Sequence, residues 1–149
     1  MLLHTALFVG GVGVIALFFV AMGSAHQLNS SHSRLGVYTI NDRQVGFRYF
    51  ICSGEIVSYV ELTVAHNNEA QRVWIANNPD AGAVVTGMRI PVDLEAGRDY
   101  EVVVQVGHRQ AGQEFRPGNP PRAGQLLVRG KIRDEKQYEQ NAAASCGKP

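Results

Sequence analysis

Between Ala6 and Met22 the 149-residue chain has no Asp, Glu, Lys or Arg: the stretch reads ALFVGGVGVIALFFVAM. An uncharged run of this kind points to a membrane-spanning helix or the core of a signal peptide; the alternative, a buried core helix, is rare at this length in a small all-β domain. Met1–Thr5 also lacks Lys and Arg, so the charged leader usual in a signal peptide is missing. The run approaches the roughly 20 residues that cross a bilayer, which favours a retained anchor at residues 6–22. Gly23-Ser24-Ala25 supplies small residues for the alternative, cleavage after Ala25 and secretion. Both outcomes predict that the rest of the chain lies outside the cytoplasm. No Cys closes the segment, which excludes a lipoprotein anchor.

Catalytic signatures are missing as well. The chain contains no Gly-x-Ser-x-Gly elbow, no HExxH, no CxxC and no phosphate-cradling glycine loop. Its carboxylates fall on alternating strand positions or in turns, where water solvates them at little cost. The reading is therefore a protein that is not an enzyme and carries no cofactor. A net charge of +1 and a pI near 7.9 exclude a nucleic-acid binder that relies on an overall basic field. The charges are uneven, however. Acidic residues crowd the middle, and Arg109, Arg116, Arg122, Arg129, Lys131 and Arg133 give the last third a basic bias.

What remains is rich in β-branched and aromatic residues at strand period. Candidate strands are Val37–Ile40, Val45–Cys52, Ile56–Ala65, Gln71–Ala76, Ala83–Val92, Tyr100–Val106 and Gln125–Ile132, separated by turn signals such as Ser53-Gly54, His66-Asn67-Asn68 and Glu95-Ala96-Gly97. About seven strands with no helical pattern between them predict an all-β, two-sheet sandwich. The expected organisation is an anchor or signal peptide at 1–25, a polar linker at 26–35, the sandwich at 36–133 and a tail at 134–149. That tail is expected to form a flexible strap or a short helix.

The segment Leu94-Glu95-Ala96-Gly97-Arg98-Asp99-Tyr100-Glu101-Val102-Val103-Val104 resembles the corner before the penultimate strand of immunoglobulin-like and fibronectin type III-like domains. The resemblance implies a turn at Gly97, a core plug at Leu94 and a Tyr100 hydroxyl satisfying corner backbone. It implies no function, because these sandwiches host many activities. Trp74, the only tryptophan, is expected to pack on a sheet face. No Cys follows Tyr100, so the usual intersheet bridge is missing. The two cysteines, Cys52 and Cys146, pair in the simplest reading and strap the tail to the domain; the alternative is a buried Cys52 thiol with Cys146 pairing between chains.

Three functional readings follow. The first is a noncatalytic binding or assembly module displayed by the N-terminal helix. It would use the long connection His108–Arg122, with Phe115, Arg116 and Arg122 as partner-binding residues, and the basic strand nearby. The second applies if the mature chain starts at His26. Its amine and imidazole, with His108 or His66, could then hold copper, as in proteins resembling copper chaperones or lytic polysaccharide monooxygenases. The third is an accessory subunit of a larger membrane complex, with Gly10, Gly11 and Gly13 letting a partner helix approach.

Overall fold

The computed structural model describes residues 30–117 and 121–147. The apolar segment at 6–22, the Ala25 cleavage point and His26 lie outside them. Among the described residues no helix is long and apolar enough to cross a membrane.

Two antiparallel sheets form a β-sandwich-like fold. One has the strand order β5-β2-β1-β8-β9, with β1 Leu35–Asn41, β2 Gln44–Tyr49, β5 Met88–Arg89, β8 Gln125–Val128 and β9 Lys131–Asp134. The other is ordered β4-β3-β6-β7, with β3 Val57–His66, β4 Glu69–Asn77, β6 Tyr100–Val106 and β7 Arg109–Phe115. Strict alternation builds the core. In β6, Tyr100, Val102, Val104 and Val106 are buried and the residues between them are half-exposed, as a strand with one covered face requires. They meet Val37, Phe47, Leu62 and Leu94 in one cluster, with Trp74 packed half-buried against it.

The corner before β6 has the geometry its sequence implies. Gly97 takes φ +79°, Leu94 is fully buried, and the Tyr100 hydroxyl accepts the Glu95 N–H at 2.9 Å. Phe115 stacks on the Tyr100 ring at 5.8 Å between centroids. Tyr100→Phe keeps the stack and orphans one N–H, so a loss of about 1 kcal/mol is expected. It should read as a lower urea midpoint at unchanged slope; an unchanged midpoint would mean that water replaces the hydroxyl.

Three sequence expectations need correction. Ala83–Val92 is not a strand: Asp80 accepts the Ala83 N–H at 2.8 Å and caps a short helix, α1 (Ala81–Thr86), leaving only Met88–Arg89 to pair with β2. The local cap outcompetes the β preference of Val84 and Val85. Gln125–Ile132 is a hairpin rather than one strand, because Arg129 and Gly130 both take positive φ, 51° and 71°, as a two-residue type I′ turn requires. The connection His108–Arg122 contains strand β7, paired with β6 from Val106↔Arg109 to Tyr100↔Phe115. Its inward positions are Ala111, Gln113 and Phe115, so one of the three gives no apolar signal in the sequence.

The tail forms helix α2 (Glu135–Ala144), capped by Asp134, whose carboxylate accepts the Gln137 N–H at 2.7 Å. Tyr138 and Ala142 bury themselves against Leu126 and Val128 of β8, a second small core. Cys52 and Cys146 are disulfide-bonded, with Cα atoms 5.7 Å apart, fixing the end of α2 to the loop after β2.

Candidate functional site

The residues singled out from the sequence do not converge. Phe115 is 8% exposed and engaged with Tyr100, so its ring belongs to the core. Arg116 is exposed and holds Asp99 through two hydrogen bonds of 2.8 and 2.9 Å. These bonds from Arg116, and its charge, hold the Asp99 carboxyl below its ordinary range and raise the Arg116 guanidinium in turn. Arg122 is exposed, and its backbone N–H donates to Gln125. His108 occupies the β6–β7 turn, whereas His66 ends β3 beside Arg98, 3.2 Å from its guanidinium. The register Val57↔Val106 to Val64↔Tyr100 puts these two histidines at opposite ends of the sheet. At about 3.3 Å per residue their separation is roughly 30 Å. They cannot hold the same ion. Among the described residues no group of three or more His, Cys, Asp or Glu is placed to hold a metal.

A buried polar hub lies where β1 begins. Arg34 is 2% exposed, and its Nη1 donates to Glu55 Oε2 at 2.5 Å and lies 2.9 Å from Cys52 Sγ. Its guanidinium also sits over the Tyr49 ring, 5.1 Å from the centroid. The Arg34 carbonyl accepts from the Tyr138 hydroxyl at 2.7 Å and from the Phe50 N–H at 2.9 Å, tying α2 and the β2 loop to one residue. Burial works to raise the Glu55 carboxyl, but hydrogen bonds from Arg34 and the Cys52 N–H, with the charges of Arg34 and Arg109, outweigh it and hold the carboxyl low. Burial, aided by Glu55 and opposed by Arg34, pushes the Tyr49 hydroxyl up to about 12. The hub anchors the elements around it, with Arg34 buried and the Glu55 side chain 22% exposed.

Those elements frame an open groove of ≈990 Å³. Its cationic wall is the β8–β9 hairpin, with Arg129, Lys131 and Arg133; Tyr138 and Asn141 of α2 adjoin it, and Glu101 and Glu114 line the β6–β7 side. His32 closes the end: its Nδ1 lies 3.0 Å from the Gly112 carbonyl and 3.1 Å from the Gly112 N–H, capping the outer edge of β7. Ser33 stands beside His32 in the groove lining. What the groove offers is polar recognition between walls of opposite charge. The basic bias of the last third was visible in the sequence, but Glu101, Tyr138 and Asn141 reach the groove only through the tertiary fold.

The fold is thus a two-sheet β-sandwich-like domain with a disulfide-strapped helix and a charged groove. No protein-family model, no curated protein and no solved structure matches the chain.

Proposed function

We propose that this protein is a noncatalytic binding or assembly module, an immunoglobulin-like sandwich held outside the cytoplasm by the apolar segment at 6–22. The immunoglobulin-like reading is supported by the Tyr100 corner and the β4-β3-β6-β7 order. The binding reading rests on one observation, the groove between the β8–β9 hairpin, α2 and the β6–β7 side. Its cationic wall sits on regular elements pinned by the disulfide and by the Arg34 hub. A groove with rigid walls loses little entropy on binding. The groove takes in Gln110 and Glu114 of the His108–Arg122 connection together with the basic hairpin and the helix that follow it.

Placing a photo-crosslinking amino acid at Asn141, an exposed residue of the groove, tests the reading in the native cell. A discrete adduct is expected there and not from Glu69, an exposed residue on β4. Equal labelling at both positions, or none at Asn141, would refute a partner site in the groove.

A further inference from the structure

Among the described residues the sheets have four edges: β4, β7, β5 and β9. A sheet edge presents unpaired backbone groups that another strand can add to. The edge of β7 is capped by His32 at Gly112. That of β5 is two residues long. β4 is irregular, with its register shifted between Leu62↔Trp74 and Thr63↔Arg72, and a bulge of this kind blunts strand addition.

β9 differs from the other three. Its ladder with β8 runs without a bulge from Val128↔Lys131 to Gln125↔Asp134. In a two-residue hairpin the pair beside the turn exchanges both backbone hydrogen bonds, and pairs alternate from there. Leu127↔Ile132 is then the pair without mutual bonds, so the Ile132 N–H and C=O point to the open edge, as does the Asp134 N–H. The Ile132 side chain is 47% exposed. Lys131 and Arg133 flank it on the opposite face, and neither they nor Lys136 enter any ion pair among the described residues. Asp134 adds one negative charge at the far end, already committed to capping α2.

These charges select the occupant. A second copy pairing antiparallel about Ile132 would set Lys131 opposite Arg133, and like charges directly opposed are destabilising. A strand with carboxylates at those positions makes two favourable pairs instead. We propose that β9 receives an extended acidic segment of a partner protein by strand addition, its backbone on Ile132 and its carboxylates on Lys131 and Arg133. This deepens the binding-module reading and rests on it.

The full chain, reconstituted in zwitterionic nanodiscs, is titrated with a capped octapeptide of alternating Glu and Val while the backbone amides are followed by NMR. Saturable shifts centred on Ile132 and Asp134 are expected. The Lys131→Glu/Arg133→Glu variant should bind at least about tenfold more weakly, since two attractive pairs become repulsive. N-methylation along one edge of the peptide should abolish binding, and along the other edge leave it intact. Equal binding by both methylated peptides would mean charge attraction without strand addition and overturn the proposal. So would a Lys/Val peptide that binds as well, or phosphatidylserine-doped nanodiscs that shift these amides when the acidic peptide does not. A crosslink from Asn141 that persists while the peptide fails would leave the binding-module reading standing and sink strand addition alone.

Discussion

Replacing Cys52 and Cys146 together by Ser is expected to lower the unfolding free energy of the domain by about 4 to 5 kcal/mol. The bridge joins residues 94 apart in sequence. In the chain-entropy model its loss returns to the unfolded ensemble the freedom of a loop of that size. Without the bridge α2 is held by the burial of Tyr138 and Ala142 against Leu126 and Val128 of the short strand β8, with Tyr38 and Phe50 beside them, by the Tyr138–Arg34 hydrogen bond and by ion pairs of Arg48 with the exposed Glu135 and Glu139. The effect should therefore be both global and local. Denaturant unfolding followed by Trp74 fluorescence should show the lower stability, and amide exchange should show α2 opening ahead of β3 and β6. A loss under about 1 kcal/mol would mean that the hub at Arg34 already confines the tail without the bridge. The same variant should weaken groove binding, because Tyr138 and Asn141 line the groove from α2.

Much of the architecture was legible in the sequence, and where legibility failed the cause is physical. Tyr100–Val106 is read to the residue, because alternating Val beside a turn Gly leaves one solution. Ala83–Val92 misleads because the Asp80 cap acts over three residues, a shorter range than the hydrophobic period that suggests a strand. β7 hides because Gln113 occupies an inward position. It is 5% exposed, its Nε2 donates to the Glu114 carbonyl at 2.6 Å, and its Oε1 has no partner. No pattern that counts apolar residues finds such a strand. The bridge was readable from cysteine arithmetic and the expected extracytoplasmic placement.

The groove was legible only in part, because it is assembled from segments distant in sequence. Charge patterning pointed to Arg129, Lys131 and Arg133, yet a run of basic residues says nothing about which of them share a face. That is set by the turn at Arg129-Gly130, which folds the run back on itself. Phe115 illustrates the opposite error. An aromatic beside Arg and several Pro reads as a recognition loop, but an edge strand needs an aromatic plug just as much, and Tyr100 supplies its partner.

The second large effect concerns the Arg34–Glu55 pair. Arg34 is buried and the Glu55 side chain is 22% exposed, so the desolvation cost falls mainly on the guanidinium, and removing the carboxylate strands that buried charge. Glu55→Ala is accordingly expected to cost about 3 to 5 kcal/mol, since it leaves a fully buried guanidinium whose Nε already has no partner. Arg34→Met should cost less through the charge left behind, because water reaches the 22% exposed Glu55, but adds the loss of the contact with the Tyr49 ring. The double variant Arg34→Met/Glu55→Met should be much less damaged than the sum of the two, because it removes both charges and keeps the volume. A pH dependence follows from the same geometry. The Glu55 carboxyl is lower in the folded protein than its ordinary value of 4.5, so the folded state favours its charged form. The stability this confers is complete above that value and is lost as pH falls through the lower, folded one. Unfolding measured between roughly pH 6 and pH 3 should therefore show wild type losing stability more steeply than Glu55→Gln, the two curves converging at the acid end. Parallel curves, or additive costs in the double variant, would show that Arg34 is held by its contacts with Tyr49, Phe50 and Cys52 rather than by the carboxylate.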